Sequence, residues 1–308
     1  MGRITVRRSV TRVRSGTTST RQDTLVVEEP MEIRLDGRSL AVTMRTPGND
    51  FELATGFLVT EGVITSAADI RDQRYCTGAR PDTRYNIVNV RLAPGVCAPD
   101  PSVERSFYTT SSCGICGKGS IDAVRTVTRW QVAEDPSPVG STVLAGLPES
   151  LRQHQAVFER TGGLHAAGLF DTSGELLCLR EDVGRHNAVD KVIGWACTRE
   201  QLPLRGRVLQ VSGRASFELV QKALMAGIPI LSAVSAPSSL AVDLAAESGM
   251  TLAGFVRGET MNVYTGGHRV DVDTNSVADY PIHGGGNTEG CHIAALGMAD
   301  DVPVRSET

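Results

Sequence analysis

Apolar and polar residues alternate over residues 4–46, a period of two that predicts a β-rich start. Met31, Ile33 and Leu35 alternate with polar residues up to Asp36-Gly37, and Leu40, Val42 and Met44 alternate beyond it. An Asp-Gly pair between two such runs is a strong hairpin signal. Thr46-Pro47-Gly48-Asn49 is a turn, and Asn49 or Asp50 can cap a helix reaching about Thr60. Phe51, Leu53, Ala54, Phe57 and Leu58 fall on its apolar side. Strands are predicted near 71–76, 85–92 and 107–110, with a short helix at 120–128. Residues 135–140 read as a linker, and 149–160 as a helix bridging two halves.

The second half alternates more cleanly. A hairpin over 165–170 and 176–180 turns at Ser173-Gly174. The spacing of Ala188, Val189, Val192, Ile193 and Ala196 predicts a helix over 184–197. Strands at 208–211, 228–234 and 252–256 alternate with helices at 215–226 and 237–248. That order implies an α/β protein with a mostly parallel sheet, covered on both faces, behind a β-rich N-terminal half. The expected domains are 1–140, 141–270 and a poorly structured tail, 271–308, where Gly284-Gly285-Gly286 interrupts a stretch without apolar period.

Composition narrows the function classes. The 308 residues carry 31 Lys+Arg against 35 Asp+Glu, a net charge of −4, which disfavours general nucleic-acid binding. The longest uncharged apolar stretch, 223–242, is broken by Gly227, Pro229 and Pro237, so no membrane span is expected. The N-terminus is arginine-rich without a following apolar stretch, and the expected location is cytoplasmic. Seven cysteines outside a secretory context point to reduced thiols rather than a disulfide framework.

Cys113 and Cys116 form a C-x-x-C in which glycine follows each cysteine, as Gly114 and Gly117. Glycine makes such a loop adaptable, while Lys118 and a following helix start favour thiolate, the reactive form. The spacing alone leaves metal binding, dithiol–disulfide exchange and sulfur carriage open. A structural zinc site normally takes four ligands. No spacing points to a second pair, and no metal site is expected.

A second constellation runs from Thr161-Gly162-Gly163-Leu164-His165 through Glu181-Asp182-Val183-Gly184-Arg185-His186-Asn187-Ala188-Val189-Asp190-Lys191. Glu181 and Asp182 can be simple helix caps, Asp190 and Lys191 solvated charges, and a lone His165 an interior histidine. Gly184, Arg185, His186 and Asn187 together nevertheless offer an anion both donors and close backbone approach. Ser212-Gly213-Arg214 follows a strand at the carboxyl edge of the sheet, where α/β folds gather ligands, and Arg214 can fork onto phosphate. Phe255-Val256-Arg257-Gly258-Glu259-Thr260 leaves another strand end at the same edge. No Walker loop or G-x-G-x-x-G is present, which disfavours a conventional ATPase or dinucleotide dehydrogenase. Zinc deamination is excluded on chemistry, because Ala167 stands where H-x-E needs its glutamate.

These residues resemble one family, the formate dehydrogenase accessory sulfurtransferases (FdhD), over residues 20–270. The likeness rests on Met44-Arg45-Thr46-Pro47-Gly48-Asn49-Asp50, Cys113-Gly114-Ile115-Cys116-Gly117, Thr161 to Ala167, Glu181 to Lys191, Ser212-Gly213-Arg214 and Ser235-Ala236-Pro237. The resemblance implies a cytidine-deaminase-like core without deaminase activity, in a homodimer. It implies a sulfurtransferase that accepts persulfide sulfur from a cysteine desulfurase and passes it to the molybdenum bis(guanine dinucleotide) cofactor that formate dehydrogenase requires. That cofactor is bound as substrate, with no permanent cofactor. Cys113 matches the persulfide carrier and Cys116 its partner. Phe255, Val256, Arg257, Gly258, Glu259 and Thr260 match the cofactor-binding segment. Arg185, Lys191 and Arg214 are added here as donors for the guanine nucleotide phosphates. The alternatives are a cofactor chaperone that never carries sulfur, and a thiol–disulfide oxidoreductase.

Overall fold

A computed structural model describes residues 3–76, 85–96 and 128–272. The chain opens with a hairpin, β1 (Thr5–Arg14) and β2 (Thr17–Val26), turned at Ser15 and Gly16, both at positive φ. Next come β3 (Glu29–Leu35) and β4 (Arg38–Arg45), joined at Asp36-Gly37 as the alternation requires. They belong to a four-stranded sheet of order β4-β3-β6-β5, completed by β5 (Ile70–Tyr75) and β6 (Ile87–Leu92). Helix α1 (Asp50–Thr60) lies between β4 and β5 in the chain.

A short β7 (Val139–Gly140) leads into α2 (Ser141–Gln153) and α3 (Ala156–Thr161). This differs from the single expected helix over 149–160. The first helix begins before Pro148, which sits inside α2, because Leu144, Leu147 and Leu151 bury its apolar stripe. The expected linker is pinned instead. Arg269, fully buried, donates to the carbonyls of Val132, Ala133 and Asp135, and Gly206 N donates to Asp135 Oδ2 at 2.9 Å.

The remaining elements are β8 (His165–Asp171), β9 (Leu176–Asp182), α4 (Arg185–Cys197), β10 (Arg207–Val211), α5 (Phe217–Met225), β11 (Ile230–Ala233), α6 (Ser239–Glu247), β12 (Thr251–Arg257), β13 (Thr260–Thr265) and β14 (Val270–Asp271). Strands β8 to β13 build a six-stranded sheet of order β13-β12-β11-β10-β8-β9. The sheet is mixed rather than mostly parallel. Only β10–β11 and β11–β12 are parallel, while β8–β9, β8–β10 and β12–β13 are antiparallel. The helical connections force the parallel centre, and the two hairpins add the antiparallel flanks.

Period-two alternation sends the sheet's residues to two cores. Ala166, Phe170, Val208 and Ile230 face α2. Ala167, Leu169, Leu209, Val211, Leu231 and Ala233 join a larger cluster with α4, α5 and residues of the four-stranded sheet. Helices α1 and α4 meet backbone to backbone at Gly56 and Gly194. A Cβ on Gly56 would lie 1.8 Å from Asp190 O, and one on Gly194 would lie 1.8 Å from Glu52 O. No helix among the described residues is long and apolar enough to cross a membrane.

Candidate functional site

Several chain segments converge on one edge of the six-stranded sheet. β8 runs antiparallel to β9 and β10, so His165 at its start pairs with Asp182 at the end of β9. Ser212 N, just past β10, donates to Ala166 O at 3.0 Å. Ser235 N donates to Gly213 O and Phe255 N to Ser235 O, each at 3.3 Å, which carries the line across β10, β11 and β12. His165, Gly184 to His186, Ser212 to Arg214, Ser235 and Phe255 therefore share the carboxyl edge of the parallel strands, the usual ligand edge of such sheets.

The charge arrangement there suits an anion. The N-cap of α4 is Gly184, which has no side chain to cap the first turn, and a helix N-terminus carries a partial positive charge. Arg185 Nε is buried without a hydrogen-bond partner among the described residues. Arg214 and Arg257 are exposed. The half-buried His165 ring packs on Gly213, where a Cβ would stand 3.5 Å from Nδ1. Burial lowers the pKa of His165, and the charges of Arg185 and His186 lower it further. Asp182 opposes the shift without reversing it. His186 Nε2 lies 3.3 Å from Glu218 Oε2 and 3.5 Å from Ser216 Oγ. Burial opposes the charge on Glu218, but the hydrogen bond and charge of His186, with help from Ser216, bring its pKa below the ordinary value.

Phe255 lies on this edge, 37% exposed and at φ +53°. A bulky side chain in the left-handed region is strained, and such strain persists where the fold over-determines it, most often at functional sites. The strand bulges between Gly254 and Arg257. Val256 points inward and is fully buried, leaving Phe255, Arg257, Gly258, Glu259 and Thr260 exposed. Gly258 takes φ +57°, and Thr260 Oγ1 donates to Arg257 O at 3.2 Å to close the turn.

Several residues singled out for binding are engaged within the protein. Lys191 is 1% exposed, with Nζ 2.7 Å from Asp182 Oδ2 and donating to Thr46 O at 3.0 Å. It does not reach the edge and is no direct donor to a ligand. Asp182 also accepts from Thr46 N at 3.1 Å, Gly184 N at 2.8 Å and Asn187 Nδ2 at 3.0 Å. Asn187 Nδ2 donates to Met44 O as well. The two sequence motifs at 44–50 and 181–191 are therefore welded together, with Asp182 as their joint. Glu181 accepts from Val157 N and Phe158 N at the start of α3. Asp190 and Lys222 form a buried pair at 2.8 Å, with Thr60 donating to Asp190, so neither Asp190 nor Lys191 is a solvated charge. Arg45 and Asp50 pair at 3.0 Å, both buried. Glu218 was not legible in the sequence; its signal is an acidic residue in the first turn of the helix that follows Ser212-Gly213-Arg214.

Cys113 and Cys116 lie outside the described residues. Among the described cysteines, Cys178 and Cys197 are buried. Burial pushes the Cys178 thiol up to about 12 and the Cys197 thiol up to about 11, which makes both poor nucleophiles. Cys76 is partly exposed.

The FdhD/NarQ family model matches residues 26–271. The chain is 63% identical to the sulfur carrier protein FdhD of Streptomyces coelicolor over 274 residues, 88% of this chain and 97% of that protein. It is 56% identical to the sulfur carrier protein FdhD of Mycobacterium tuberculosis over 278 residues, 88% of this chain and all of that protein. Identity to the sulfur carrier protein FdhD of Sulfolobus acidocaldarius is 44% over 263 residues, 85% of this chain and 97% of that protein. A crystal structure of a Desulfotalea psychrophila protein, assigned as a formate dehydrogenase accessory protein, superposes with a TM-score of 0.67 at 24% identity. It covers 87% of this chain and 100% of that one, and shows the shared fold.

Proposed function

The chain belongs to the FdhD/NarQ family, and from that membership we propose that it is a sulfurtransferase serving formate dehydrogenase, with Cys113 as the sulfur carrier. The Cys113 thiolate attacks the outer sulfur of a cysteine desulfurase persulfide. The new Cys113 S–S bond forms as the bond to the desulfurase cysteine breaks, and that cysteine leaves as thiolate. Cys116 then attacks Cys113 Sγ. The outer sulfur departs as hydrosulfide toward the metal, taking up two electrons, and Cys113 and Cys116 are oxidised to a disulfide. A cellular thiol reductant restores the pair.

The acceptor is the molybdenum bis(guanine dinucleotide) cofactor, bound as substrate at the sheet edge. The observation that carries this reading is the convergence of strained Phe255, exposed Arg214 and Arg257, Arg185 Nε without a partner among the described residues, and the glycine-capped start of α4 on that edge. A guanine nucleotide presents an aromatic face and a diphosphate. An exposed phenyl ring suits the first, and guanidinium with helix N–H donors suits the second. Lys191 acts at one remove, by holding Asp182 and hence the start of α4.

Titration of the protein with GDP tests the edge. Binding that weakens at least tenfold in Phe255→Ala and in Arg214→Gln is expected. Absence of GDP binding, or binding indifferent to both substitutions, would overturn the assignment. A cofactor chaperone would bind the nucleotide equally well without carrying sulfur. Formate dehydrogenase activation separates the two: Cys113→Ala abolishes it in the relay and leaves it intact in the chaperone.

A further inference from the structure

The β1–β2 ribbon is not explained by the site. Its strands pair over ten residues each and join no other strand among the described residues. Its base is fixed to the body: Val27 N donates to Ile4 O, Ile4 lies against Gly48, and Val26 lies against Gly163. From Arg7 to Gln22 every residue but Val10 is exposed. The ribbon precedes residues 26–271, the stretch that the family model matches, so it is an addition to the machinery the family shares.

A segment this exposed acts through its surface chemistry. Residues 3–26 hold six arginines, nine serines and threonines and one aspartate, with no lysine or glutamate. Six positive charges against one negative give +5, in a chain whose net charge is −4. The average that disfavours nucleic-acid binding therefore conceals a basic arm. The register orders that charge. Arg8 pairs with Asp23, Val10 with Arg21, Arg12 with Ser19 and Arg14 with Thr17, and cross-strand partners share a face. One face thus carries a guanidinium at each of four successive steps, Arg8, Arg21, Arg12 and Arg14, spaced by about 7 Å. Asp23, 3.7 Å from Arg21, offsets only the end nearest the body. The other face presents Arg7 with Ser9, Thr11, Thr18, Thr20 and Gln22, all exposed donors.

Shape selects the partner. Two strands about 4.8 Å apart make a ribbon that the roughly 12 Å major groove of B-form DNA admits. Ten paired residues span about 34 Å, close to one turn of the duplex. Guanidinium, hydroxyl and amide groups are the side chains that contact DNA phosphates, and arginine is also the commonest reader of guanine in that groove. A row of charges at constant spacing suits a polyanion that itself repeats, whereas an acidic protein surface has no such repeat. Double-stranded RNA has a deep, narrow major groove that closes this route.

We infer that the ribbon is an arm for double-stranded DNA, laid in the major groove with Arg8, Arg12, Arg14 and Arg21 as its main donors. This function is separate from the sulfur chemistry and from the Phe255 edge.

Fluorescence anisotropy of the full chain with a labelled DNA duplex of mixed sequence, about 20 base pairs or two turns long, tests it. The wild type is expected to bind, with an affinity that falls about 10²-fold between about 0.05 and 0.2 M salt, the slope for roughly four neutralised phosphates. Arg12→Glu/Arg14→Glu/Arg21→Glu should bind at least tenfold more weakly while its circular dichroism matches that of the wild type. Unlabelled duplex RNA and polyglutamate should each displace the labelled DNA at least tenfold less well than unlabelled DNA does. Absence of binding, or an arm variant that binds as tightly as wild type, would overturn the proposal. So would displacement by RNA as effective as by DNA, and equal displacement by polyglutamate would leave an arm for acidic proteins in its place. Should the arm variant fail to fold, the salt titration of the wild type decides, and an affinity that salt leaves unchanged overturns it.

Discussion

The contact between α1 and α4 gives a sharp stability prediction. Gly194→Ala places a methyl group 1.8 Å from Glu52 O, where an ordinary contact is at least 3.4 Å. The shortfall of about 1.6 Å must come from two helix backbones, since no flexible side chain stands there to give way. Overpacking a core typically costs about 1–3 kcal/mol, and backbone against backbone belongs at the upper end, roughly 3 kcal/mol. For a chain of this size each kcal/mol moves Tm by about 2–4 °C, so Gly194→Ala should lower Tm by roughly 6–12 °C. Gly56→Ala meets Asp190 O at the same 1.8 Å and should cost as much. The double variant should cost clearly less than the sum, because one separation of the helices relieves both clashes. Gly146 is the control. It lies on the exposed side of α2 with nothing within 4 Å of its Cβ position, so Gly146→Ala should stabilise by about 0.5–1 kcal/mol. Scanning calorimetry reads all four variants. A Gly194→Ala Tm within about 2 °C of wild type would refute the close-packed crossing.

Three further outcomes follow from the buried groups. Lys191→Met removes the counter-ion of fully buried Asp182 and should cost about 3–5 kcal/mol in urea unfolding, while a loss under 1 kcal/mol would mean that the pair is dispensable. His165 has its pKa lowered in the folded state, first by burial. Above the ordinary histidine value of about 6.5 it is neutral folded and unfolded and contributes no pH dependence. As pH falls through that value the unfolded chain takes up the proton first, so stability declines; His165→Gln should flatten that decline in Tm, and an unchanged slope would count against it. Cys178 and Cys197 should resist iodoacetamide at pH 8 in the native protein and react once it is unfolded, as read by peptide mass spectrometry. Native alkylation of either would contradict the burial assigned to it.

Much of the fold is legible in the chain because its local signals agree. The Asp36-Gly37 hairpin, the α4 periodicity and the β10 to β12 alternation all stand where the apolar pattern puts them. Helix α2 was obscured by Pro148, whose local preference loses to tertiary burial of Leu144, Leu147 and Leu151. β13 was missed because its alternation is short, Met261 and Val263 between polar residues, and an edge strand buries little of it. At the site, the common edge of Ser212-Gly213-Arg214 and Phe255 follows from strand order alone. The fate of Lys191 does not. A lysine in a helix beside candidate anion donors reads as a ligand donor until Asp182, nine residues earlier, and Thr46, 145 positions away, close around it. Glu218 was invisible for the same reason, since its meaning comes from His186 on a different helix.

The central claim, that Cys113 carries sulfur, is tested most directly by peptide mass spectrometry after incubating the protein with a cysteine desulfurase and cysteine. The account predicts an adduct of one sulfur atom on the Cys113 peptide, removed by a thiol reductant and absent from Cys113→Ala. A protein that binds GDP yet never acquires that sulfur would contradict the account and leave a cofactor chaperone in its place.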